Sequence, residues 1–383
     1  MVQGRDRAMS ELADPVRRSR RHSIVQRILH LDVQLITALL LLSGVGLAIL
    51  YSATNQSLDA VHNQLMRMTM AFTAMVVMAQ IPPDALRRWS PLVFLGALAL
   101  LVLVLLVGTV GQGAQRWLDL GLVRFQPAEV MKLAIPMAVA WYISMRPLPP
   151  TLLQVFTAAV AIAIPTGLIV LQPDLGTALL VSASGFFVLF LAGLRWRVLV
   201  TALLSFAALI PVFWLFLMRE YQQQRVLTLF DPERDPLGTG YHIIQSTIAI
   251  GSGGMFGKGW LNGTQSQLEF LPERNTDFIF AVFAEEFGLM GALQLLALYL
   301  FIIGRGLYIA INAQDTYSRL LAGSLTLTFF VYVFVNIGMV SGLMPVVGLP
   351  LPLVSYGGTS MVTLMAGFGI LMSIHTHRKL WAS

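Results

Sequence analysis

Ten apolar stretches run through the chain, at about 33–52, 65–81, 90–108, 128–145, 153–171, 175–193, 198–217, 278–304, 318–341 and 358–375. Each is about the length an α-helix needs to cross a hydrocarbon layer. No water is present there to satisfy backbone N–H and C=O groups, so such a segment must bond internally, and a helix does that. Composition agrees: of 383 residues, 56% are hydrophobic and 11% charged, where a soluble domain needs about a quarter charged. A water-soluble globule, a disordered tail and a fibre are excluded. The runs do not alternate as the strands of a membrane barrel do. The expected fold is an all-α polytopic membrane protein with about ten transmembrane helices.

Basic residues choose the orientation. Lys and Arg concentrate in loops on the cytoplasmic side of a membrane. Residues 1–30 hold seven Arg, and with both termini cytoplasmic the inner segments carry 16 of the 25 Lys and Arg. The short outer loops carry Arg67, Arg116 and Arg124, and five more basic residues lie in one long outer loop, 218–277, between spans seven and eight. The division is then a cytoplasmic basic tail (1–30), a single transmembrane domain (31–379) and a short C-terminal tail (380–383). The Arg17–Arg21 run loosely resembles a twin-arginine signal, but a span follows at once without a small-residue cleavage site. The basic charge serves orientation rather than nucleic-acid binding.

Several chemistries drop out. With no cysteine there is no disulfide, thiolate nucleophile or cysteine-ligated metal, and none of the six His falls in a spaced ligand motif. The run Gly251-Ser252-Gly253-Gly254-Met255-Phe256-Gly257-Lys258-Gly259 invites a phosphate-loop reading. The spacing fails, however, and Gly259 stands where Ser or Thr is needed. A re-entrant loop is the better reading. Just before it, Tyr241 to Ile250 is amphipathic and suited to a membrane surface.

Charges at membrane depth are costly and mark cavities or pairs. Glu129 and Lys132 stand three residues apart, on one face of the fourth span. Asp174 lies in the short turn between spans five and six, and Asp277 opens span eight, with Glu285 and Glu286 deeper in it. In this topology all but the last two fall near the outer surface, as one outward-facing polar cavity. The structural alternatives are a stapling ion pair for Glu129–Lys132 and helix N-caps for Asp174 and Asp277. Thr276 or Asn275 would cap equally well, so capping alone does not require Asp277. A carboxylate there is raised by desolvation and lowered by the helix N-terminus and Arg274, and it suits a general base.

Six motifs occur together and in order: Gly113-Ala114-Gln115-Arg116-Trp117, Phe125 to Lys132, Gln172-Pro173-Asp174-Leu175-Gly176-Thr177, Phe270 to Glu286, Pro345 to Pro352, and Ser355-Tyr356-Gly357-Gly358-Thr359-Ser360. From about 30 to 379 the chain resembles the SEDS family (shape, elongation, division, sporulation). The close of the chain, Ser373 to Lys379, and Pro272-Glu273-Arg274 favour its rod-shape branch over its division branch. The resemblance implies a ten-span peptidoglycan glycosyltransferase of the bacterial cytoplasmic (inner) membrane. It would polymerise lipid II on the outer face during cell elongation, beside a class B penicillin-binding protein that crosslinks the peptides. It makes Asp277 of Thr-Asp-Phe the catalytic residue and puts Glu129 and Lys132 in an outer cavity. The substrate-binding candidates are Arg116, Trp117, Arg124, Gln126, Glu129, Lys132, Asp174, Lys258, Arg274, Thr276 and Ser355. Two residues depart from the family pattern: Asn275 where His is common, and Ala128 where Ser is common.

The implied reaction is one displacement. The 4-hydroxyl of one lipid II attacks C1 of the donor MurNAc, carried on undecaprenyl pyrophosphate, and a β-1,4 bond forms with inversion. Asp277 takes the proton, and Arg and Lys hold the leaving pyrophosphate, with Mg or Mn left open as an aid. The linkage itself carries the driving force, so no cofactor is required. The rival readings are a lipid II flippase and a scaffold for other wall enzymes.

Overall fold

The computed structural model describes residues 30–111, 114–119, 124–212, 214–215, 218, 220–235, 238–268, 270–271 and 273–377. Apart from His30, both expected tails lie outside these residues. Ten helices coincide with the ten apolar stretches: α1 Val33–Ala53, α2 Leu58–Gln80, α3 Pro83–Val107, α4 Pro127–Ser144, α5 Leu152–Leu171, α6 Leu175–Leu191, α7 Trp196–Val212, and, after the long loop, three more. That loop contributes α8 Glu220–Phe230, α9 Thr239–Gly253 and α10 Thr264–Gln267; then follow α11 Ile279–Ile311, α12 Thr316–Val340 and α13 Thr359–Thr376. Six of them (α1, α3, α5, α11, α12, α13) are long and apolar enough to cross a membrane. Between α3 and α4 a small antiparallel ribbon adds β1 Thr109–Gly111, β2 Ala114–Asp119 and β3 Arg124–Phe125, in that order. The helical reading did not contain it. Ladder pairing satisfies the backbone of its described residues.

Helix ends follow local chemistry. The side chains of Asp32, Asp174 and Asp315 accept the N–H three residues on in α1, α6 and α12. Thr151 and Gln154 form a capping box on α5, and Pro opens α3 and α4, where its missing N–H costs nothing. Inside the bundle Tyr299, Tyr317 and Tyr332 are fully buried. Each hydroxyl is satisfied: Tyr299 donates to Pro352 O at 2.7 Å, Tyr317 bonds Ser90 at 2.9 Å, and Tyr332 accepts from Lys132. Burying such rings without a partner for the hydroxyl would be costly.

The direction of the bundle is fixed by ion pairs. Asp32 before α1, Arg305 late in α11 and His375 late in α13 meet: Arg305 Nη2 donates to Asp32 Oδ2 at 2.6 Å and His375 Nε2 stands 3.2 Å away. His30 stacks on His377 with centroids 4.0 Å apart. The first and last described residues therefore share one end, and Asp277, at the start of α11, stands at the other.

There α11 is broken. Gly288 has φ +67 and ψ −165, which leaves the N–H groups of Leu289 and Met290 and the carbonyls of Glu285 and Glu286 without helical partners. The glycine-rich loop replaces both lost bonds. Leu289 and Met290 donate to Gly254 and Met255 at 2.9 and 3.1 Å, while Lys258 and Gly259 donate to Glu285 and Glu286 at 3.0 and 2.9 Å. A side chain on Gly257 or Gly288 would collide with the facing backbone. The glycine-rich loop is thus seated in a helix break that the sequence reading did not anticipate.

Candidate active site

At the Asp277 end the heads of α4, α6 and α13, the segment before α11 and ribbon strand β2 surround a cavity of about 980 Å³. Helices start here because the cavity's polar residues double as their caps and first turns. Asp174 Oδ1 accepts Thr177 N at 3.2 Å, and its Oδ2 accepts Gln126 Nε2 at 2.9 Å. The capping reading of Asp174 therefore holds, and the same carboxylate also lines the cavity. Arg116 fastens the turn by donating from Nε to Gln172 O at 3.2 Å and from Nη2 to Pro173 O at 2.6 Å.

Glu129 and Lys132 are both stapled and exposed to the cavity. Lys132 Nζ donates to Glu129 Oε1 at 2.7 Å and to the Tyr332 hydroxyl; Thr363 donates to Glu129 Oε2 at 2.8 Å. Each residue is about 5% exposed (4% and 6%), so each charge depends on the other. The pair joins α4 to α12 and α13 at the cavity wall.

Asp277 sits on a backbone pinned from three directions. Tyr356 N donates to Asn275 O at 2.8 Å, Ser355 Oγ to Thr276 O at 2.6 Å, and Asn336 Nδ2 to Asp277 O at 2.9 Å. Its side chain reaches the cavity, and burial, reinforced by the nearby Glu273 carboxylate and opposed by Arg225, pushes its pKa up to about 6. Such a carboxyl is mostly ionised at neutral pH yet basic enough to accept a hydroxyl proton.

Of the sequence candidates, Arg116, Trp117, Gln126, Glu129, Lys132, Asp174, Thr276 and Asp277 line this one cavity. Arg124 lies in β3, paired with Asp119. Ser355 is buried behind the wall, where it accepts Leu351 N at 2.7 Å as well as holding Thr276. Lys258 and Arg274 stand outside the wall. Lys258 instead pairs with the buried Glu285 at 2.7 Å. The loop's own fold consumes that charge. Sequence reasoning missed Arg225, Glu273, Tyr332 and the Tyr356–Ser360 wall. For Tyr356 to Ser360 the glycine-containing motif was the available signal. For Arg225 and Tyr332 no local spacing gave one.

Fold and site together define a polytopic helical membrane protein. At one end of the bundle lies a wide cavity lined by the carboxylates of Glu129, Asp174, Glu273 and Asp277 together with Arg116, Arg225 and Lys132. A family model described as "Cell cycle protein" and covering FtsW, RodA and SpoVE matches residues 27–380. The chain is 58% identical over 351 residues to the peptidoglycan glycosyltransferase MrdB of Escherichia coli (strain K12), covering 92% of this chain and 95% of that one. A solved chain from a peptidoglycan synthase complex that coordinates polymerization and crosslinking is similar at TM-score 0.79 and 34% identity, covering 91% and 99%. The Thermus thermophilus rod shape determining protein RodA is similar at TM-score 0.69 and 29% identity, covering 91% and 98%. The chain belongs to the FtsW/RodA/SpoVE family, the SEDS family its motifs resemble.

Proposed function

We propose that this chain is a peptidoglycan glycosyltransferase that polymerises lipid II into β-1,4 glycan strands. The carrying observation is the placement of Asp277 in a cavity of about 980 Å³ that also presents Arg116, Arg225 and Lys132. A disaccharide acceptor and a pyrophosphate need that kind of room and charge. Asp277 accepts the proton of the acceptor's 4-hydroxyl as it attacks C1 of the donor MurNAc, with inversion. Arg116 and Arg225, each partly held by backbone carbonyls, offer positive charge to the departing pyrophosphate, and Lys132 adds another. Gln126 and Asp174 hold the neighbouring wall, while Trp117 and Thr276 complete the sugar-facing surface. Lys258, Arg274 and Ser355 stand outside that surface.

A divalent cation such as Mg or Mn remains an open aid to the leaving group. Among the described residues no three His, Asp or Glu side chains gather as a cage for one.

In this reading ten helices span the bacterial inner membrane, both termini are cytoplasmic, and residues 218–277 with the cavity face the periplasm. The Lys and Arg bias supports it, as does the shared location of His30 and His377 at the end opposite Asp277. The expected partner is a class B penicillin-binding protein. The relative whose complex coordinates polymerization with crosslinking supports that expectation.

The test is purified protein with labelled lipid II. Long glycan from wild type and none from Asp277→Ala supports the reading; equal polymer from both refutes it. Translocation of lipid II is the second reading, favoured by the break at Gly288. No second broken helix occurs among the described residues, although alternating access usually uses a symmetry-related pair. Redistribution of label between leaflets without polymer would favour translocation.

A further inference from the structure

The amide of Asn336 is out of place in its surroundings. It sits fully buried on α12, where Val333, Val335 and Met339 are buried too. A leucine there would pack without a desolvation cost. Both amide hydrogens are committed, one to Asp277 O at 2.9 Å and one to Leu349 O at 2.7 Å, while Oδ1 has no partner among the described residues. One side chain thus ties together two pieces of cavity wall that are far apart in sequence. Those two pieces flank the Asp277 carboxyl. The wall segment held through Leu349 includes Gly348, at φ +73, where an added Cβ would lie 3.4 Å from Asp277 Oδ2. The Asp277 carbonyl lies outside the helical ladder: Ala281 N bonds Phe278 O instead.

We infer that Asn336 is a positioning residue for Asp277, setting the carboxyl against the Gly348 turn through the two carbonyls it holds. The inference rests on the reading of Asp277 as the base. Asn336 touches no substrate, and its effect is confined to where the carboxyl stands. A displacement of about 1 Å at a reacting group costs on the order of 100-fold in rate; Arg116 and Lys132 stand on β2 and α4, with Lys132 reaching α12 only through the Tyr332 hydroxyl.

The experiment compares wild type, Asn336→Leu, Asn336→Ser and Asp277→Ala, each purified and assayed with labelled lipid II. Leucine removes both donors at similar size, and serine keeps one short donor. The expected result is turnover lowered about 10–100-fold in Asn336→Leu, with the half-saturating lipid II concentration and the melting temperature near wild type and partial recovery in Asn336→Ser. Unchanged turnover in both Asn336 variants overturns the inference. So does a parallel loss of substrate binding or fold in both, which would make Asn336 a structural residue. If Asp277→Ala polymerises normally, the base assignment itself fails, whatever the Asn336 variants do.

Discussion

Acidification and two charge-removing substitutions test the Asp277 assignment together. Burial and the Glu273 carboxylate raise its carboxyl to about 6, and Arg225 opposes them. Only the ionised form accepts a proton, so the active fraction is about 0.9 at pH 7 and about 0.1 at pH 5, roughly a tenfold fall in turnover per unit substrate across that window. This loss is distinct from acid unfolding. A carboxyl raised on folding binds its proton more tightly in the native state, so at this group lowering the pH favours the fold. Glu273→Gln removes the like charge yet keeps an oxygen that can accept the Thr276 hydroxyl, now at 2.6 Å from Oε2. The acid limb should then move to lower pH. Arg225→Gln removes the opposing cation, so the limb should move to higher pH. The assay is the initial rate of glycan formation at sub-saturating lipid II across pH 4.5–8, a range chosen to bracket the value of about 6. Shifts of the same sign in both variants, or a limb indifferent to both, would refute the electrostatic account of Asp277.

Three further outcomes follow from the packing. Lys132→Ala should destabilise the protein by about 3–5 kcal/mol, because Glu129 is left buried without its cation; thermal unfolding should show less loss in the Glu129→Gln/Lys132→Met double variant than in Lys132→Ala. Lys258→Ala should lower the melting temperature, since Glu285 loses its ion pair, yet leave the half-saturating lipid II concentration unchanged; weakened lipid II binding would return Lys258 to the site. Gly288→Ala should cost at least about 1–3 kcal/mol, from strain at positive φ before any clash with the Gly257 backbone is added. Protease protection of the 254–265 loop in detergent reads that out, and undiminished protection would mean that the break tolerates a side chain.

The ten helices were legible because the cost of exposing or bonding an apolar run is local: hydrocarbon length and internal hydrogen bonds leave few choices. The same cost made Glu129, Lys132, Asp174 and Asp277 conspicuous, since an ionisable group in or beside such a run needs a reason to be there. The glycine run announced a loop, and the fold shows why glycine is needed there, since a side chain at Gly257 would meet the Glu286 backbone. Tertiary structure decided where each charge is spent. Lys258 resembled a phosphate ligand until the loop folded onto Glu285, and Arg225 counted only as one basic residue of the long loop until α8 brought it to the cavity wall. The break in α11 is invisible in Ala284-Glu285-Glu286-Phe287-Gly288-Leu289, because its replacement hydrogen bonds come from residues 254–259. Asn336 acquires meaning only beside Asp277 and Leu349. Burial preference is a property of a segment and can be read along the chain. The partner of a buried polar group depends on packing between distant segments, and only the folded bundle supplies that.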